Sequence, residues 1–140
     1  MAKILLERMT QRNSLKRGLR SCLVVTSSGL ANFGVPGIIS YSSTKILVSR
    51  FCQATAEEVR NNGIDVMAYE AAGITTKLNP GTGPMSLTTK TAVTHCFTKI
   101  GYETRSEGHW LHELQMLSAP LFSLTLFGGM IAKKTREAFL

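Results

Sequence analysis

Cysteine is scarce in this chain, and the few there are do not cluster. Cys22, Cys52 and Cys96 are the only three among 140 residues, each in apolar surroundings and none in a C-x-x-C pair. That spacing argues against a disulfide scaffold or a zinc site and favours a reducing compartment with three buried small hydrophobes. Acid is also short, with 9 Asp and Glu against 16 Lys and Arg, a formal charge of +7. The excess suits an anionic partner such as a nucleotide, a coenzyme A ester or a lipid surface. Aromatic residues make up only 7%, and none interleaves with Lys3, Arg8, Arg12, Lys16, Arg17 and Arg20. A base-stacking surface is therefore lacking, no nucleic-acid partner is expected, and the basic run reads as a solvated helix face. The first twenty residues contain no apolar core of a secretory signal. No stretch reaches the roughly twenty apolar residues needed to span a bilayer. Met116–Ala132 comes nearest, with seventeen residues free of formal charge, and reads as a buried or membrane-resting helix.

A composition of 44% hydrophobic and 18% charged residues is that of one globular domain. Ile4, Leu5, Met9 and Leu15 recur at helical spacing, so residues near 2–16 form a helix that breaks at Gly18. Cys22–Thr26 is a short β-branched run, the pattern of a strand buried on both faces. After a glycine-rich loop, Ser40 caps a long helix with Val48, Phe51, Cys52, Thr55 and Val59 on its apolar face, and Asn62-Gly63 ends it. Ile64–Tyr69 is a second strand, and two strands joined by a helix form a parallel α/β crossover. Breakers fill Glu70–Met85, at the strand end where ligands bind in parallel α/β sheets. A helix follows from Ser86 to about Ile100 with Leu87, Ala92, Val93, Cys96 and Ile100 buried. His109–Met116 reads as a short last strand. His109, His112, Glu113 and His95 lack a second-element ligand at a diagnostic spacing, so no metal site is expected.

Tyr41 and Lys45 stand at i and i+4, hence on one helix face a turn apart. A free phenol holds its proton with a pKa near 10, and a neighbouring cation favours the phenolate, which makes Tyr41 a candidate acid or base. Ser27 or Ser28, on the loop after the first strand, could hold a substrate oxygen toward it.

Strand, Ser-Ser-Gly, thirteen positions from Ser28 to Tyr41, then Tyr-x-x-x-Lys on a long helix: in this order the sequence resembles the short-chain dehydrogenase/reductase family. The resemblance implies a partial Rossmann-like, doubly wound parallel sheet of α/β class lacking its amino-terminal strands. It makes residues 1–140 the carboxyl-terminal, catalytic half of such a domain. It further implies Ser28 as the catalytic serine, Tyr41 as proton donor, and Lys45 as the group that tunes Tyr41 and bonds the nicotinamide ribose. Tyr41-Ser42-Ser43-Thr44-Lys45, Glu57–Ile64, Thr75-Thr76-Lys77-Leu78 and Thr104–His112 are similar to the branch of very-long-chain 3-oxoacyl-CoA reductases and 17-beta-hydroxysteroid dehydrogenases. That branch implies NADPH as cofactor, Thr76 at its carboxamide end, a ketone or acyl-CoA substrate, and pairing of two copies through the helix near 40–61. It also implies the endoplasmic reticulum membrane, with the cytoplasm as the alternative. The family's T-G-x-x-x-G-x-G turn and Asn-Asn-Ala-Gly motif do not occur in this sequence, and Ala71-Ala72 stands where the family places a proline-containing turn. A non-catalytic binding or membrane-associated module is the competing expectation.

Overall fold

The computed structural model describes residues 2–16, 18–34, 37–77, 79–80, 83, 85–119, 129 and 133. Helix α1 (Ala2–Leu15) precedes strand β1 (Ser21–Thr26), helix α2 (Ile39–Val59) and strand β2 (Ile64–Tyr69). Two-residue strands β3 (Ile74–Thr75) and β4 (Leu87–Thr88) follow, then α3 (Thr89–Lys99), β5 (Arg105–Ser106) and α4 (Trp110–Ser118). The described sheet runs β1-β2-β5, all parallel, and β3 pairs with β4 separately.

Strand β2 is central because its two faces carry different apolar sets. Ile64, Val66 and Ala68 pack with Cys52 and Val59 of α2, and with Leu6 and Met9 of α1. Met67 and Tyr69 face the other way, onto Cys96 of α3 and Ile100. A strand covered on both faces needs apolar residues at consecutive positions, and this one has them. Helices on both sides of a parallel sheet make the architecture a partial Rossmann-like α/β fold. Gly63 ends the α2 segment at φ +68°, a left-handed conformation that favours glycine. Asn13 of α1 donates from Nδ2 to the carbonyls of Asn62 and Gly63 and accepts the Ser21 hydroxyl, which fixes α1 against both strand starts.

Several expectations are corrected. Cys22 is exposed and Leu23, Val24 and Val25 are half-buried, because β1 has one neighbouring strand among the described residues rather than two. Ser40 does not cap α2, which starts at Ile39 without a side-chain cap while Ser42 donates back to Ile39 O. Phe51 and Val93 point outward. Thr88 caps α3 in place of Ser86, since Leu87 and Thr88 are held in register with Ile74 and Thr75. His109–Met116 is not a strand: His109 Nδ1 accepts the Leu111 N–H and starts α4, which buries His112 and exposes Trp110, Leu114 and Leu117. The Met116–Ala132 segment lies mostly outside the described residues, among which no helix is long and apolar enough to cross a membrane.

Candidate active site

The carboxyl ends of β1, β2 and β5 gather the residues singled out by spacing. Where β1 ends, the Ser27 N–H donates to Tyr69 O at 2.7 Å and the Gly29 N–H to Ala71 O at 3.0 Å. The two chains leaving the sheet therefore stay joined past their strands. Ser27 and Ser28 then diverge in role. The Ser27 hydroxyl is buried and donates to Lys45 O at 2.8 Å, with Ser49 Oγ also 2.8 Å away, so it is spent on holding α2. Ser28, also buried, accepts the Leu30 N–H at Oγ at 3.2 Å, capping a 3₁₀ turn over Gly29–Asn32, and its hydroxyl donates to no other described residue.

Tyr41 and Lys45 meet as their spacing requires. The Lys45 ammonium stands 5.7 Å from the Tyr41 ring centroid and donates to Thr26 O at 3.1 Å. This bond ties the ammonium to the end of β1, two residues before Ser28. Tyr41 is 45% exposed, and its hydroxyl makes no hydrogen bond to another described residue. The cation thus lies against the ring, with the phenol oxygen open to a ligand. Thr76 sits on the exposed loop after β3 and closes a turn with Asn79, its N–H donating to Asn79 O and its Oγ1 accepting the Asn79 N–H. No hydrogen bond joins Thr76 to Ser28, Tyr41 or Lys45.

Ala71-Ala72-Gly73, the segment without the family's proline, is held by other means. Gly73 O accepts the Leu87 N–H at 2.9 Å and lies 3.2 Å from His112 Nε2. His112 is 0% exposed, and burial pushes its pKa below the usual imidazole value, so the ring is neutral with Nε2–H donating to Gly73. Helix α4 reaches the Ser28 turn as well, since a Cβ added at Gly29 would collide with Met116 Sδ.

Spacing gave no sign of one cluster. Glu70, the residue after β2, is 1% exposed and receives Arg105 twice, Nε to Oε1 at 2.7 Å and Nη2 to Oε2 at 2.9 Å. Asn32 Nδ2 donates to the same Oε2 at 3.0 Å, while Arg105 Nη2 also donates to Asn32 Oδ1 at 2.6 Å. Burial pushes the Glu70 pKa up, but hydrogen bonds from Arg105, Ser49 and Asn32 outweigh it and hold the carboxyl below its ordinary value. An acid directly after an apolar strand was the available signal.

Residues 2–86 match the family described as short chain dehydrogenase. The chain belongs to that family. It is 30% identical over 116 residues to a very-long-chain 3-oxoacyl-CoA reductase of Macaca fascicularis, covering 81% of this chain and 35% of the relative. The Homo sapiens very-long-chain 3-oxoacyl-CoA reductase is 28% identical over the same shares. The chain thus spans about a third of the length of these short-chain dehydrogenase relatives. No solved structure matches.

Proposed function

We propose that this site takes part in the NADPH-dependent reduction of a ketone, either a very-long-chain 3-oxoacyl-CoA or a 17-ketosteroid. The observation that carries the reading is the placement of Lys45: bound to the end of β1 and lying over Tyr41, it joins the strand that leads into Ser28 to the helix bearing the phenol. Ser28 would donate its uncommitted hydrogen to the carbonyl oxygen and orient it. Tyr41 would pass its proton to that oxygen, and the Lys45 charge would offset the negative charge left on the phenol. When bound, NADPH supplies the hydride that the carbonyl carbon receives. Tyr41, Lys45 and Thr76 would hold its nicotinamide and ribose end through the phenol, the ammonium and the hydroxyl. The pyrophosphate has no seat among these residues, because a T-G-x-x-x-G-x-G turn at a helix N-terminus is not in the sequence. The competing reading is a non-catalytic binding module.

Combining the chain with the amino-terminal cofactor-binding segment of a short-chain dehydrogenase separates the two readings. Ketone-dependent oxidation of NADPH by the assembly is the expected result, with 3-oxoacyl-CoA and ketosteroid compared as substrates. An assembly that forms and binds NADPH but reduces neither ketone would contradict the catalytic reading and leave the module.

A further inference from the structure

The buried Glu70 carboxylate, at the end of β2, joins the turn that carries Ser28 to β5. Asn32 belongs to the turn that Ser28 caps, and it bonds both Glu70 and Arg105. Arg105 reaches Glu70 from β5 in a two-point contact. Behind the turn, Ser49 of α2 meets Ser27, whose hydroxyl donates to the carbonyl of Lys45, so the end of β1 is tied to the helix separately. Glu70, Ser49 and Ser27 are all buried. A carboxylate out of water needs its lone pairs met, and here the donors come from the turn and the neighbouring strand. Moving the turn away from the ends of β2 and β5 costs a charge-assisted bond at a buried group, so the arrangement fixes their relative positions.

We propose that Asn32, Glu70 and Arg105 are positioning residues for the candidate site, setting where the Ser28 turn stands relative to the carboxyl ends of β2 and β5. This rests on the reading of Ser28, Tyr41 and Lys45 given above, but the geometry it asserts can be measured without turnover. Asn32 acts on the Ser28 turn. Glu70 acts on the turn through Asn32 and holds it against β5 through Arg105. Arg105 acts through Glu70, and a lysine would not replace it, since a single ammonium cannot make the two-point contact.

The test is NMR on the intact 140-residue chain and on Asn32→Ala, Glu70→Gln and Arg105→Lys variants. Asn32→Ala is the mildest, because Asn32 is exposed and its removal leaves the Glu70–Arg105 pair whole. Expected in Asn32→Ala are shifted Ser28 side-chain and Leu30 amide resonances. Amide exchange at Gly29, Leu30 and Ala31 should rise about tenfold, the consequence of losing a hydrogen bond of ordinary net strength. The β1–β2 ladder and the Thr91 amide at the α3 cap should keep their exchange rates. Glu70→Gln should disturb the same turn and also the Arg105 side-chain resonances, with Arg105→Lys intermediate. Unchanged Ser28 and Leu30 signals in Asn32→Ala, or exchange that rises equally across ladder and turn, would overturn the proposal. Should Ser28→Ala leave ketone reduction untouched in the assembly described above, the catalytic reading falls while the NMR result stands on its own.

Discussion

Ser27 and Ser28 are chemically identical and adjacent, yet only one has a hydrogen left for a ligand. Their difference depends on which faces Lys45 O and Ser49, a matter of how β1 meets α2. The Tyr41 and Lys45 pair could be read from sequence because helical geometry alone brings i and i+4 together. Glu70 with Arg105, and Asn32 with Arg105, could not: they lie 35 and 73 positions apart, and parallel register brings them together. His112 belongs to the same class, 39 positions from the carbonyl it supports. Its chemistry gives a prediction at this scale. Burial lowers its folded pKa below the unfolded value of 6.5, so the unfolded chain binds the proton more readily between the two values. Stability from His112 should be complete above about pH 6.5 and decline as pH falls from there through the folded pKa. Glu70, also lowered, should add a further decline on acidification below about pH 4.5. Denaturant midpoints measured against pH should show both, and His112→Gln should remove the upper decline. An upper decline of unchanged size in His112→Gln would assign it elsewhere.

Among the elements, β2 was the most legible, because burial on both faces leaves the apolar run Val66-Met67-Ala68-Tyr69 between Asp65 and Glu70. The two-residue pairs β3–β4 and β2–β5 were not, being too short to show any period. Helix α4 was misread for a related reason: Trp110, Leu114 and Leu117 are apolar yet exposed, so polarity alone misstates which face is inward. Helix α2 has a comparable outward face. Leu47 and Phe51 are exposed, and Phe51 borders a groove of about 690 Å³ against α1, lined also by Leu6, Thr55 and Val59. Exposed apolar side chains grouped beside a groove favour association, and pairing of two copies through α2 is the expectation they support. Sedimentation should therefore find a dimer for the wild-type chain and monomer for Phe51→Lys, with helix content by circular dichroism unchanged. A monomeric wild type would contradict the pairing.

For the whole molecule, three parallel strands with α1 and α2 on one face and α3 on the other place Ser28, Glu70 and Arg105 along one edge. The Lys45 ammonium of the i, i+4 pair is bonded at this edge to the end of β1, and Arg105 and Asn32 hold the buried Glu70 carboxylate there. The most direct measurement is single-turnover ketone reduction by the chain combined with a cofactor-binding amino-terminal segment, comparing wild type with Tyr41→Phe. Loss of roughly 10²–10⁴-fold in rate, the usual contribution of a positioned proton donor, with NADPH affinity nearly unchanged, is the predicted result. Equal rates in the two proteins would remove Tyr41 from the reaction and contradict the account.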